Sequence, residues 1–240
     1  HDFLLQQNAM QRCLARADAC VVHTPGMQRD LAALVPSAPV GVYPHPVFDD
    51  FPPPARRLPR RAGLELLFFG FVRPYKGLDL LLDALRRLHD CDICLSVVGE
   101  WWTKNAILRR AAEAHPRVEL VDRYVSPGEA ADFFARADAV VLPYRSATGT
   151  GVVPLAYHYR RPVIATRVGG IPFVVKDGTS GRLVAPGDVD ALAAAIREFA
   201  VAPPVDADGI ARTAAGMTWD GLASTVLDMV TRPLDSRKGP

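Results

Sequence analysis

The 240-residue chain is 49% hydrophobic and 22% charged, the composition of an ordinary core-forming protein and not of a disordered one. A formal net charge of +2, with no stripe of cations interleaved with aromatics, argues against a nucleic-acid binder. No run of about eighteen apolar residues marks a membrane span, and the N-terminus lacks a basic region followed by an apolar one, so the chain is expected to stay in the cytoplasm.

The first fifty residues read as a helix with apolar positions Leu4, Leu5, Met10 and Leu14, a strand Ala19–His23, a short helix Pro25–Leu34 and a strand Val40–Tyr43. Two strands cannot build an independent doubly wound core, so residues 1–50 are expected to be the remnant of a larger first domain. Residues 51–61, with Pro52-Pro53-Pro54 and Pro59, have linker composition. From Leu64 onward strands and helices alternate. Strands are expected near Leu64–Gly70, Ile93–Gly99, Val118–Asp122, Ala139–Tyr144, Pro162–Ala165 and Arg182–Val184. Helices are expected near Leu78–Leu88, Thr103–Ala114, Pro127–Ala137, Val152–Tyr159, Ile171–Val175 and Val189–Phe199. The pattern predicts an α/β fold, a doubly wound parallel sheet, over residues 62–205, with C-terminal helices and tail over 206–240. Met217–Val230 is amphipathic and is expected to turn its apolar side to a core.

Two segments carry chemistry. Gly70-Phe-Val-Arg73-Pro-Tyr-Lys76-Gly77 joins a strand to a helix, and a glycine turn, two cations and a helix start are what a diphosphate needs. Downstream, Val140–Tyr144 leads into a small-residue loop, Ser146-Ala147-Thr148-Gly149-Thr150-Gly151, followed by a helix, a strand and Gly169-Gly170-Ile171-Pro172, Asp177-Gly178 and Gly181. In order and spacing these blocks resemble the C-terminal, donor-binding domain of GT-B glycosyltransferases, most closely glycosyltransferase family 4, over roughly residues 62 to 200.

The resemblance implies a metal-independent enzyme, without cofactor, that moves a sugar from a nucleotide-diphosphate donor to a glycan, lipid or small-molecule acceptor with retention of anomeric configuration. Residues 1–50 would be the end of the acceptor-binding Rossmann-like domain, and any peripheral membrane contact would run through its missing part. The chain is then read as a fragment, inactive alone. Arg73 and Lys76 would meet the charge developing on the leaving diphosphate. Gly70, Thr148, Gly149, Thr150 and Gly151 would let backbone approach phosphate or sugar, while Glu100 and Arg123-Tyr124-Val125 would line the nucleobase pocket. His1 matches the family's histidine loop and would face the donor. Trp101 and Trp102 are expected to pack, not to stack on a base.

The sequence also departs from the family. Phe71 stands where an arginine is usual, so either Arg73 reaches in from elsewhere on the turn or the phosphate site is weakened. The family's two glutamates fall on Leu155 and on Ala147 or Thr148, which puts ribose recognition in doubt. Two further readings stand beside the transferase: a non-catalytic nucleotide-binding module, and a nucleotide-sugar epimerase of the same architecture.

Cys91 and Cys94 form a Cys-x-x-Cys, but Cys94 opens a strand and no second Cys or His pair completes a zinc site; with Cys13 and Cys20 they are expected to be buried, reduced thiols, and no metal is expected. His89 and His115 fall at helix ends, His158 lies between two tyrosines, and His45 sits at the presumed domain cleft. Lysine occurs only at 76, 104, 176 and 238, an arginine bias that suggests a GC-rich bacterial genome.

Overall fold

The computed structural model describes residues 12–231 apart from 15 and 37, and the chain divides into two compact units, His1–Pro46 with Gly216–Pro240, and Val47–Ala215. The predicted helix around Leu4–Leu14 lies almost wholly outside the described residues.

In the first unit, β1 (Cys20–Val22) and β2 (Val40–Val42) pair in parallel with Cys20 opposite Val40. They are joined by α1 (Pro25–Leu34). Thr24 starts that helix because its Oγ1 accepts the Met27 amide at 3.2 Å and Pro25 needs no donor at the first helical position. The last helix of the chain, α9 (Trp219–Thr231), packs on this small sheet: Met229 is buried beside Gly41, where an added Cβ would come within 3.3 Å of it. The Tyr43 hydroxyl accepts the Thr218 amide at 3.0 Å. The amphipathic stripe predicted there is only partly covered, since Trp219, Val226, Leu227 and Val230 remain exposed.

The second unit holds a six-stranded, wholly parallel sheet in the order β5-β4-β3-β6-β7-β8. Its strands are β3 (Leu64–Phe69), β4 (Ile93–Val98), β5 (Val118–Val121), β6 (Ala139–Leu142), β7 (Val163–Thr166) and β8 (Gly181–Val184). The helices are α2 (Leu78–Arg87), α3 (Ala106–Glu113), α4 (Pro127–Arg136), α5 (Val152–His158), α6 (Ile171–Val174), α7 (Val189–Val201) and α8 (Ala207–Ala214). A 3-10 turn, Pro74–Lys76, precedes α2. Continuous apolar runs form the central strands because helices cover both faces; Leu66, Leu67, Phe68, Leu95 and Val97 are all buried. Helix α4 begins with a capping box, Ser126 and Glu129 each bonding the other's backbone, and Pro127 follows at the first position.

Two predicted boundaries shift. Residues 51–61 do not behave as a free linker: Asp132 on α4 accepts the Ala55 and Arg56 amides at 2.9 and 2.8 Å, and the Tyr159 hydroxyl donates to the Pro52 carbonyl at 2.9 Å. Proline composition signals extended backbone, not detachment, and the extended strap finds partners on the second unit. Residues 206–240 are likewise not one tail, because α8 belongs to the second unit and α9 to the first.

Candidate functional site

The strand order reverses between β3 and β6, and in an open parallel sheet the crevice at the carboxyl ends of the strands flanking such a switch point is where ligands bind. Gly70 ends β3 at φ +87, and a Cβ there would stand 3.0 Å from Lys76 Nζ, so glycine is what leaves room for that side chain. Lys76 is 7% exposed. Its ammonium donates to the Phe69 carbonyl at 3.3 Å and lies 5.7 Å from the Tyr144 ring centre at the end of β6. Burial, helped by the charge of Arg73, lowers its pKa from 10.5 to about 8. Among the described residues no carboxylate pairs with it. A buried cation without a counter-ion is costly to the fold, and an anion is the partner its chemistry calls for.

The loops after β3 and β6 are tied to each other. The Arg145 amide donates to the Tyr75 carbonyl at 2.7 Å, and its guanidinium forks onto Asp79 at 2.8 and 2.5 Å. Gly77, in the left-handed region at φ +70, lets the backbone turn from the 3-10 segment into α2 against the Pro143 carbonyl. Beyond Tyr144, Thr148, Gly149 and Gly151 are exposed, and the Thr150 hydroxyl accepts the Val152 amide at 3.1 Å; burial pushes the pKa of the Tyr144 hydroxyl up. Gly169 holds this loop from behind: at φ +49 its backbone presses on the Ala147 carbonyl, and the Gly170 amide donates to the Thr148 carbonyl at 3.2 Å.

The residues singled out in the sequence therefore separate. Gly70, Arg73, Lys76 and the Thr148–Gly151 loop gather about the switch point; Glu100 lies one strand away, after β4, and Arg123, Tyr124 and Val125 lie two strands away, after β5. Arg123 is occupied: its guanidinium pairs with Glu129 at 2.6 Å and donates to the Tyr124 carbonyl at 3.0 Å. Tyr124 is exposed and Val125 buried. His1 lies outside the described residues. Leu155, the position at which the resemblance leads one to expect an acid, is buried in the core. His45 lies in the first unit with its ring 5.2 Å from that of His23.

Some expectations are corrected. Trp101 is half-buried and packs on the core, but Trp102 is 53% exposed, because its backbone pairs with Val72 beyond the glycines that end β3 and β4 and carries the ring past the core's edge. The cysteines are free but none is buried: Cys13 is exposed and Cys20, Cys91 and Cys94 are half-buried, since they sit at element ends or on part-covered strand faces. Sequence reading missed the Arg145–Asp79 pair as part of the site, and nothing in the sequence marks it.

Residues 63–200 match the family described as glycosyl transferases group 1. The chain belongs to that family. It is 34% identical over 186 residues, 71% of this chain and 40% of the relative, to D-inositol 3-phosphate glycosyltransferase of Streptomyces coelicolor. It is 30% identical over 242 residues, 93% of this chain and 55% of the relative, to the enzyme so named from Mycolicibacterium paratuberculosis. The chain thus spans about half the length of these curated relatives. Among solved structures it superposes on sucrose-phosphate synthase from Thermosynechococcus elongatus with a TM-score of 0.78 at 23% identity, over 94% of this chain and 61% of that one. Anabaena HepE, solved with UDP and glucose, gives 0.73 at 15%, over 94% and 66%. These likenesses establish the GT-B fold. No helix among the described residues is long and apolar enough to cross a membrane, and no group of three or more metal-ligating side chains occurs among them.

Proposed function

We propose that the β3–β6 crevice binds the diphosphate of a nucleotide-sugar donor, with Lys76 as the central cation and Arg73 as the second. The observation that carries this is the buried Lys76 ammonium at the switch point, which no carboxylate among the described residues pairs with. In the reaction we infer, the bond from the anomeric carbon to the diphosphate breaks, and negative charge grows on the leaving phosphate oxygen. Lys76 and Arg73 meet that charge without reorganising, which is how fixed cations lower a barrier. The small residues of the Thr148–Gly151 loop leave room for donor oxygens near backbone amides. Retention of configuration, independence of metal, and a glycan, lipid or small-molecule acceptor belong to this reading, as does a nucleobase pocket along Glu100, Tyr124 and Val125. UDP and glucose in HepE, and GDP-mannose in the name of a Xanthomonas campestris mannosyltransferase 34% identical over 103 residues, support a nucleoside-diphosphate sugar as the class of donor.

One observation favours a second reading, a nucleotide-binding module without turnover: apolar Leu155 is buried where a donor-binding acid is usual in the family.

Calorimetry of the chain with UDP, GDP, ADP and the matching nucleosides tests the diphosphate site. A charge-assisted hydrogen bond contributes roughly 1.5–3 kcal/mol, so Lys76→Ala is expected to weaken the diphosphate about ten- to a hundredfold and to leave the nucleoside nearly unchanged. Equal affinity of nucleoside and diphosphate for the parent chain would refute the proposal.

A further inference from the structure

Arg73 is held differently from several other arginines around the sheet. Arg145 forks onto Asp79, Arg123 onto Glu129 and Arg197 onto Asp90, so their in-plane N–H donors are spent on carboxylates. Arg73 is held by ring faces instead: its guanidinium carbon lies 4.7 Å from the Trp102 ring centre and 5.8 Å from that of Phe71. Among the described residues no carboxylate pairs with it. A guanidinium held over rings, with no carboxylate on its N–H groups, keeps its planar fork available, and that fork matches phosphate geometry.

The rings are themselves fixed. Trp102 Nε1 donates to Glu100 Oε2 at 2.9 Å, and the Phe71 and Trp102 ring centres are 4.6 Å apart at an interplanar angle of 39°. Backbone bonds lock the two straps together: Val72 donates to the Glu100 carbonyl at 2.9 Å and Trp102 to the Val72 carbonyl at 3.0 Å. Both rings are large, apolar and exposed, at 42% for Phe71 and 53% for Trp102, so burial in the core does not account for them. Glu100 holds the tryptophan and not the arginine.

We infer that Phe71 and Trp102 are positioning residues that hold the guanidinium of Arg73 over their rings and leave its N–H fork available to the donor diphosphate, an inference that rests on the diphosphate site proposed above. Trp102 then acts through Arg73 and touches no reacting atom. The clamp limits the rotamers a free arginine would sample, so it strengthens the diphosphate contact without adding a contact of its own.

A double-mutant cycle tests it, reading the ratio of UDP to uridine affinity in the full chain. An exposed cation–π contact is modest, so Trp102→Leu is expected to lower that ratio by about two- to fivefold. Trp102→Tyr, which keeps a ring face, is expected to restore most of it. In an Arg73→Ala background Trp102→Leu is expected to change nothing further. An equal loss in both backgrounds, or no loss at all, would overturn the clamp. So would a parallel fall in uridine affinity, which would make Trp102 a surface for the base. Circular dichroism on each variant separates these outcomes from misfolding, and Trp102→Phe provides a second ring-bearing variant whose ratio must follow that of Trp102→Tyr. Failure of the parent chain to prefer UDP to uridine would remove the diphosphate site and the clamp with it, whereas an intact preference with an unresponsive Trp102 removes the clamp alone.

Discussion

Lys76 shows what the proposed diphosphate site costs at the scale of one residue. Its pKa falls from 10.5 to about 8, so below pH 8 the folded protein carries a buried charge that the unfolded chain would solvate. The penalty is fully present below about pH 8 and fades as pH rises toward the unfolded value of 10.5. Lys76→Met keeps the stem and removes the charge. It is expected to be roughly 1–3 kcal/mol more stable than the parent at pH 7, with a Tm several degrees higher, and to lose that advantage by about pH 10.5. Thermal melts of the two proteins at pH 7 and pH 10.5 measure this, and a variant less stable at pH 7 would show that the ammonium is well solvated. The same titration governs binding. Only the protonated amine attracts a diphosphate, so affinity is expected to fall as pH rises through about 8, and this fall should vanish in Lys76→Met.

At the scale of elements, the site depends on loops braced from behind. Gly169 sits in the left-handed region at φ +49, and a Cβ added there would overlap the Ala147 carbonyl oxygen, an obstacle that is backbone and cannot swing aside. Gly169→Ala is expected to destabilise the chain by at least about 1–2 kcal/mol from the backbone conformation alone, and to weaken UDP binding by displacing the Thr148–Gly151 loop. Calorimetry and a thermal melt check both halves; a variant with parent-like Tm and affinity would mean the loop tolerates a shift. Elsewhere on the sheet, Glu65, Ser96, Glu119, Arg61 and Arg136 form a polar cluster with each carboxylate met by an arginine. Its groups are satisfied by one another, which is the opposite of the situation at Lys76 and assigns it to the fold.

Across the whole molecule the two units differ in how much apolar surface they bury. The larger unit has a continuous core from Leu64 to Phe199, spanning the central strands and the helices on one face. In the smaller one, β1 and β2 are three residues each, α1 buries none of its side chains, and a two-stranded sheet is marginal by itself. Hydrogen exchange followed by mass spectrometry is expected to show residues 20–42 exchanging much faster than β3, β4, β6 and β7. Equal protection in both regions would contradict this ranking.

The alternation of strand and helix, the parallel sheet and the glycine turn with Lys76 were legible in the sequence because each rests on neighbours close along the chain. Apolar runs of strand length and the Gly70–Gly77 turn are local patterns whose physics is complete within about ten residues. Which cations remain available for a ligand was not legible. Arg73, Arg123 and Arg145 look alike in sequence, each following a strand, yet Arg145 meets Asp79 across 66 positions and Arg123 meets Glu129, while Arg73 lies over rings and meets no carboxylate among the described residues. Likewise the proline-rich strap read as a linker until Asp132, 77 positions on, was seen to hold its amides. Charge pairing acts over a few ångströms of space, and only the folded chain decides which groups come that close.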